Sequence, residues 1–271
     1  MNYQKYFFTA VITLVINFQA LAGWVITQQS YDSDEGVETA LIETIYLQDN
    51  KMKVVQPGMV TIFNLNEQTI TLMSSKKKVY WTGSVADYKK EIKNAMQSAM
   101  DEQLKNAPEE QKEMIRKMYQ GMIESIENPA KFAGEEPEEY ALEIKKTGER
   151  ERVAGRLAHQ YTISVNGVVK EEAWLSESDR PHEEFDIGKF YDVFGDFTSQ
   201  ASTNAFYQNN EKYIEFSKKG FPLKSINYYG GYESISEVTN LERENIDAPE
   251  FIPPTDYQKV NLVEIGLEEQ E

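Results

Sequence analysis

The chain is 271 residues long and carries 28 Lys and Arg against 45 Asp and Glu, a formal net charge of −17. This charge argues against a nucleic-acid-binding protein, because affinity for phosphates comes largely from basic side chains. The apolar fraction of 40% and the charged fraction of 27% are typical of a globular chain. The chain has no cysteine, which excludes disulfides, thiolate metal sites and cysteine nucleophiles.

The first 22 residues have the three parts of a secretory signal peptide. Lys5 lies in a short amino-terminal part, an apolar run covers 7–16, and Ala20-Leu21-Ala22 provides the small residues of a cleavage site. The apolar run is about half as long as the roughly 20 residues of a membrane span. We therefore expect cleavage after Ala22 and, since cysteine is absent, export to a bacterial periplasm. An uncleaved membrane anchor is the alternative.

From Trp24 to Trp81 apolar and β-branched residues alternate with polar ones, which predicts a string of strands. Three of them are expected at 41–47, 59–64 and 69–73, with short turns between them. Connections this short do not allow crossovers, so the segment predicts an antiparallel meander.

Two segments with helical spacing follow, at 84–106 and 109–126. Ser84 and Asp87 predict a capping box at the start of the first helix, and Pro108 separates the two. We therefore expect a helical hairpin inserted at about 84–126. The segment 127–139, with two prolines and several glutamates, is expected to be an exposed loop.

Strands resume at Tyr140, and Asn166-Gly167 predicts a tight hairpin between strands at 160–165 and 168–175. A third helical region is expected at 186–218, followed by strands at 223–229 and 232–238. This order predicts an α+β fold in which helices cover the concave face of a curved antiparallel β-sheet. We expect a single domain at 23–262 and an acidic C-terminal tail at 263–271.

Several strand and turn segments carry a family resemblance. They are NKMK at 50–53, IFNLN at 62–66, KKVY at 77–80, VAG at 153–155, VKEEAW at 169–174, and the PP at 253–254 that precedes YQKV at 257–260. In these segments the chain resembles a family of exported bacterial domains of unknown function, which is similar in fold to the lipoprotein carriers LolA and LolB. The resemblance implies a LolA-like half-barrel whose concave, helix-covered side can bind acyl chains. It transfers no ligand-contacting residue.

Five of the nine methionines fall on the predicted hairpin at spacings of four residues. Methionine side chains can repack around variable ligands, although ordinary packing of a helix on a sheet gives the same spacing. Aromatic residues of the third helical region share one face. The candidate residues for lining an apolar site are Met96, Met100, Met114, Met118, Met122, Phe190, Phe194, Phe197, His159 and Trp174.

The Asn166-Gly167 turn also predicts a register, in which His159 lies directly opposite Trp174. His159 alternates with apolar residues, so we expect it to be packed and hydrogen-bonded, with a role in ligand lining or pH sensing as the alternative.

His182 stands among charged loop residues, and we expect its side chain to be solvated. Asp32 and Asp34 resemble part of a calcium loop, but the glycine that such a loop needs is misplaced, so they predict a hairpin tip.

No hydrolase elbow, zinc-protease motif, phosphate loop or dinucleotide-binding turn occurs in the sequence. We therefore expect no catalytic residue, no cofactor and no metal site, and a non-enzymatic periplasmic protein that binds an apolar ligand or a lipidated protein.

Residues 1–100 hold nine basic and nine acidic groups, so the whole charge of −17 falls on 101–271. The alternatives are an interaction module with a self-filled core and an acidic surface that docks on a basic envelope protein, and an enzyme with unrecognised carboxylate chemistry.

Overall fold

The structure, a computed structural model, describes residues 22–127, 140–199, 205–208 and 210–266. The predicted signal peptide lies outside the described residues except for Ala22, and it stays a prediction. Most of the predicted exposed loop at 127–139 and the last five residues of the predicted acidic tail also lie outside them.

The described strands form one 12-stranded sheet. They are β1 (Gly23–Asp32), β2 (Leu41–Gln48), β3 (Lys51–Gln56), β4 (Met59–Asn64), β5 (Thr69–Ser74), β6 (Val79–Gly83), β7 (Leu142–Val153), β8 (Arg156–Val165), β9 (Val168–Ser176), β10 (Phe221–Tyr229), β11 (Tyr232–Glu244) and β12 (Gln258–Lys259). The strand order is β12-β6-β5-β4-β3-β2-β1-β11-β10-β9-β8-β7. Every neighbouring pair is antiparallel except β12 with β6.

The helices are α1 (Val85–Asn106), α2 (Glu109–Glu127), α3 (Ile187–Ser199), α4 (Ala205–Gln208), α5 (Glu211–Ser217) and α6 (Leu262–Gly266). Short 3-10 turns lie at Val37–Thr39, Pro181–Glu183 and Ala248–Phe251. Within the described ranges, no helix combines the length and the apolarity that a membrane span needs.

The predicted fold class, α+β with a curved and open antiparallel sheet, is confirmed. One cluster of buried residues joins Trp81 of β6, Ile26 of β1 and Leu223 of β10 with Phe194 of α3. A single helix packs against strands this far apart in the sheet only if the sheet curves around it. The two outermost strands, β12 and β7, do not pair with each other, so the sheet stays open.

The segment 246–251, which follows β11, packs on the opposite, convex face of the sheet. Ile246 and Phe251 form a second buried cluster with Val60, Ile62 and Met73. Ile62 precedes Phe63, which belongs to the helix-covered cluster, and successive strand residues point to opposite faces. Both faces of the β3–β6 region are therefore covered.

The predicted helical hairpin consists of α1 and α2, which Pro108 separates. Ser84 and Asp87 form the predicted capping box at the start of α1. Glu91 anchors the helix, because its carboxylate accepts hydrogen bonds from Trp81 Nε1 at 2.8 Å and from the backbone nitrogen of Leu262 at 2.9 Å. The rest of the hairpin extends from this anchor with no fully buried residue on α1.

The predicted pairing of His159 with Trp174 is wrong. The Asn166-Gly167 turn forms as expected, but a β-bulge follows it on β9, where Lys170 is the extra residue. The bulge shifts the register by one residue, so that His159 pairs with Leu175 and Trp174 pairs with Gln160. Because successive strand residues point to opposite faces, His159 and Trp174 lie on opposite faces of the sheet.

Candidate functional site

An apolar cavity of about 210 Å³ lies between the sheet and the loop that leads into α3. Its floor consists of Ile26, Ile45, Leu47 and Met52, on three adjacent strands. The register places Ile26 opposite Ile45 and Leu47 opposite Met52, so the four side chains point to the same concave face. The alternation of side chains between the two faces of β1, β2 and β3 therefore forms the floor of the cavity.

The roof of the cavity is the segment that enters α3, with Phe185, Ile187 and Tyr191 facing the floor. The β2–β3 turn holds this segment, because the backbone nitrogen of Asn50 donates to the carbonyl oxygen of Glu184 at 2.8 Å. The side-chain oxygen of Asn50 also accepts from the backbone nitrogen of Asp186 at 3.0 Å. Asn50 has a φ of 57°, in the left-handed region that asparagine tolerates well in tight turns.

One end of the cavity is closed by the chain between β9 and β10. Asp179 is almost fully buried and pairs with Arg156 at 2.7 Å, while Arg156 also donates to the carbonyl oxygen of Leu241 at 2.8 Å. Gly220 lies so close to β9 that a Cβ atom there would be 2.3 Å from the carbonyl oxygen of Ser176. Only glycine allows this approach, so the wall is fixed by backbone contact.

His182 lines the mostly apolar cavity. Its Nδ1 is buried and has no hydrogen-bond partner among the described residues. Burial lowers the pKa of His182 below its ordinary value, so the imidazole is neutral at pH 7. An unsatisfied buried nitrogen costs stability.

A buried carboxyl group lies beside the cavity, and it was not predicted. Glu171 of β9 is 3% exposed and accepts hydrogen bonds from Tyr207 Oη at 3.2 Å and from Tyr213 Oη at 3.1 Å. Burial raises the pKa of Glu171 to about 7, and the two tyrosine hydroxyls offset part of that effect. Tyr213 also lines the cavity, so it connects the cavity wall to the carboxyl group.

The tyrosines around Glu171 stay protonated. Burial raises the pKa of Tyr191 to about 12, with the nearby Glu171 as a further cause. The pKa values of Tyr207 and Tyr213 are raised well above their ordinary value, first by burial and then by the Glu171 charge. The cluster therefore offers hydroxyl donors and one carboxyl group that titrates near neutrality.

The predicted phenylalanines fill the concave space next to the cavity. Phe190, Phe194 and Phe197 of α3 surround Phe63, with ring centroids 5.2, 5.3 and 5.8 Å from its ring. Tyr88 of α1 adds an edge contact to Phe197 at 4.9 Å. These rings occupy the region that the sequence assigned to a ligand, and the cavity remains on the far side of Phe190 towards Phe185.

The predicted methionines do not line the cavity. Met96 and Met100 are half-buried on α1, and Met114, Met118 and Met122 on α2 are 66%, 49% and 43% exposed. The stripe on α2 follows its helical spacing of four residues, but it faces outward from the hairpin rather than lying under it. The methionines are therefore separate from the cavity.

His159 is half-buried and Trp174 is buried, and neither lines the cavity. The structure places His182 at the cavity wall, whereas its position among charged loop residues predicted a solvated side chain.

The sequence does carry a signal for the buried Glu171, which alternates along β9 with the buried Ala173 and Leu175. A carboxyl group on the apolar face of a strand marks a buried polar site.

Comparison with solved structures finds chains of similar shape at low identity. PNGF-II, in a C2 crystal form, has a TM-score of 0.36 at 10% identity, with 90% of this chain and 32% of PNGF-II covered. MucB has a TM-score of 0.39 at 10% identity, with 88% of this chain and 59% of MucB covered. The Pseudomonas aeruginosa MucA/MucB complex also gives 0.39 and 10%, with 89% and 59% covered. The chain thus spans about a third of PNGF-II and about three fifths of MucB.

No curated protein is significantly similar to the chain. A family model matches residues 52–257, which include most of the sheet, the helical hairpin and most of the residues that line the cavity. The match confirms the family resemblance noted in the sequence. The chain therefore belongs to the family described as Domain of unknown function (DUF4412).

Proposed function

We propose that the protein is a non-enzymatic periplasmic binding protein that holds an apolar ligand in the cavity beneath α3. The ligand is the end of a lipid acyl chain, free or attached to a partner protein. The observation that carries the proposal is the cavity itself, with a floor of four aliphatic or thioether side chains.

The size of the cavity limits the ligand. A volume of about 210 Å³ exceeds the engineered cavity of about 150 Å³ that binds benzene, and it is below the roughly 300–1,000 Å³ of sites for drug-sized ligands. It accepts the terminal part of an alkyl chain but not a whole phospholipid. Each methylene group transferred from water contributes about 0.8 kcal/mol, so a partly inserted chain has usable affinity.

The proposal is tested by titration with the neutral fluorophore N-phenyl-1-naphthylamine, followed by displacement with octanol. We expect one saturable site and competitive displacement. Ile45→Phe should abolish binding because the larger side chain fills the floor of the cavity, and it should leave the thermal midpoint unchanged or higher. Loss of binding together with a lower midpoint would reflect unfolding rather than filling.

Leu72→Phe is the matched control, because Leu72 is partly buried against the same core and does not line the cavity. It should leave the affinity for the fluorophore within about twofold of the unmodified protein. If Ile45→Phe and Leu72→Phe weaken binding equally, or if octanol fails to displace the fluorophore, the cavity is not the ligand site.

A second candidate is an interaction module whose concave side is filled by its own side chains. The ring cluster of Phe63, Phe190, Phe194 and Phe197 favours it, because these rings pack against one another on the concave side of the sheet. If this second candidate is correct, the fluorophore titration shows no saturable site, and the protein binds its partner through its outer surface.

A further inference from the structure

A buried carboxyl group and the wall of the cavity share one tyrosine. Tyr213 of α5 lines the cavity, and its hydroxyl group donates to both carboxyl oxygens of Glu171, at 3.2 and 3.1 Å. Tyr207 of α4 donates to the same carboxyl group at 3.2 Å but does not line the cavity. A change at Glu171 therefore reaches the cavity wall through Tyr213.

The helix that carries Tyr213 is short and is fixed at its two ends by other contacts. Asn210 caps the first turn of α5, and its side chain also donates to Tyr140 Oη at 3.2 Å. Beyond the other end of α5, Gly220 lies against the backbone of Ser176. Tyr213 is buried in the middle of the helix, so its contact with Glu171 is the polar anchor of that part of the cavity wall.

The surroundings of Glu171 supply hydroxyl groups and no cation. The residues that face it are Ile163 and Asn227, opposite it on β8 and β10, and Tyr191, Tyr207 and Tyr213 of the three helices. No Lys or Arg of the described chain contributes to its pKa, which burial raises to about 7. The ionised carboxylate therefore loses hydration without gaining a counter-charge. Water relieves that cost when α5 moves away from β9 and takes Tyr213 with it.

We propose that Glu171 is a positioning residue for the ligand of the cavity and acts through Tyr213. The protonated carboxyl group keeps α5 packed on β9, so that Tyr213 and Ser217 complete the cavity wall. Ionisation loosens this wall, and the ligand then dissociates more readily. The inference rests on the proposed function, and it means that the cavity retains its apolar ligand below neutral pH and releases it above.

The direction of the pH effect separates Glu171 from the other titratable groups of the cavity. A ligand that binds when the carboxyl group is protonated also raises the pKa of Glu171, so binding takes up protons near neutral pH. His182 acts in the opposite direction, because burial lowers its pKa and its charge would weaken apolar binding only at acidic pH. Tyr191 and Tyr213 keep their protons, since burial raises their pKa values. A decrease in affinity through pH 7 therefore reports Glu171.

The test measures the affinity for N-phenyl-1-naphthylamine from about pH 6 to about pH 8.5 at constant ionic strength. The affinity of the unmodified protein should fall at least about fivefold over this range, as is usual for two coupled sites. Glu171→Gln cannot ionise, so it should match the unmodified protein at about pH 6 and keep that affinity at about pH 8.5. Glu172→Gln is the matched control, because its side chain lies on the opposite face of β9, and it should follow the unmodified protein.

Tyr207→Phe provides a readout that a merely structural role does not move. The hydroxyl group of Tyr207 stabilises the carboxylate, so its loss raises the pKa of Glu171 further, and the midpoint of the affinity profile should move to higher pH. A structural role of Tyr207 would lower the affinity at every pH and leave the midpoint in place. If Glu171→Gln does not fold, this shift of the midpoint decides the question alone.

Hydrogen exchange of the backbone amides of α5, corrected for its intrinsic pH dependence, measures the cavity wall itself. It should become faster over the same pH range in the unmodified protein and not in Glu171→Gln. Saturable binding with one affinity at every pH, or a pH profile that Glu171→Gln retains, overturns the inference and leaves the proposed function intact. Absence of saturable binding at every pH overturns both. A pH-dependent affinity with unchanged exchange of α5 overturns the action through Tyr213.

Discussion

Glu171 makes the stability of the protein depend on pH in an unusual direction. Its carboxyl group is buried beneath α4 and α5, where Tyr207 and Tyr213 donate to it, and burial raises its pKa to about 7. The folded state therefore holds the proton more tightly than the unfolded chain, in which the ordinary pKa is 4.5. The resulting stabilisation is complete below about pH 4.5 and is lost as pH rises through about 7.

The size of this effect follows from the two pKa values. A difference between 4.5 and about 7 corresponds to about 3 kcal/mol over the whole window, and to about 2 kcal/mol between about pH 5.5 and about pH 8. Glu143 and Glu177 have lowered pKa values because lysines donate to them, and they act in the opposite direction at lower pH. They do not titrate between about pH 5.5 and about pH 8, whereas His182, whose pKa is lowered by burial from the ordinary 6.5, acts against Glu171 in the lower part of this window.

The assay is urea unfolding of the protein and of Glu171→Gln at several pH values in this window, at constant ionic strength. Glutamine keeps an acceptor for the tyrosine hydroxyls and does not titrate. We expect Glu171→Gln to remove most of the decrease in unfolding free energy from about pH 5.5 to about pH 8, and to be the more stable protein at the upper end by about 2 kcal/mol. Equal pH dependence of the two proteins would refute the buried-carboxyl explanation.

Three further predictions concern the cavity walls. His182→Phe should raise the unfolding free energy by about 1 kcal/mol, as measured by urea unfolding, because it removes the unsatisfied Nδ1; a loss of stability would mean that this nitrogen has a partner. Arg156→Met should cost about 2 kcal/mol because it removes the cation that pairs with the buried Asp179, to which Ser176 and Ser178 still donate. Adding Asp179→Leu should restore part of the loss in a double-mutant cycle, and an unchanged unfolding free energy in Arg156→Met would contradict the pairing. Gly220→Ala should lower the thermal midpoint by several degrees, because a Cβ there would be 2.3 Å from the carbonyl oxygen of Ser176; an unchanged midpoint would contradict that contact.

Local signals in the sequence predicted most of the fold. The capping box at Ser84, the break at Pro108 and the turns at Asn166-Gly167 and Gly230-Gly231 are all present, because each depends on residues a few positions apart. The register after the Asn166-Gly167 turn was wrong because nothing local marks the bulge at Lys170. That bulge is compatible with burial of Glu171, which in turn needs two tyrosines on helices that come later in the chain.

The candidate site was harder to predict than the fold. Its floor follows from strand alternation, but its roof depends on contacts between Asn50 and the segment before α3, which are 136 residues apart in the chain. The sequence identified Phe190 and Phe194 as inward-facing, and it could not show that Phe63 meets them and fills the space. It also named the methionines of α2 as candidates for lining a ligand site, with ordinary packing as the alternative, because a helical stripe alone does not indicate what covers it.

The central claim is that the cavity beneath α3 holds an apolar ligand. Native mass spectrometry of the protein, purified without detergent from the cells that produce it, tests this claim most directly. We predict a species heavier than the polypeptide by the mass of one small lipid-like molecule, released into organic solvent and absent from Ile45→Phe purified in the same way. A mass equal to that of the polypeptide alone, or an adduct that Ile45→Phe retains, would contradict the claim.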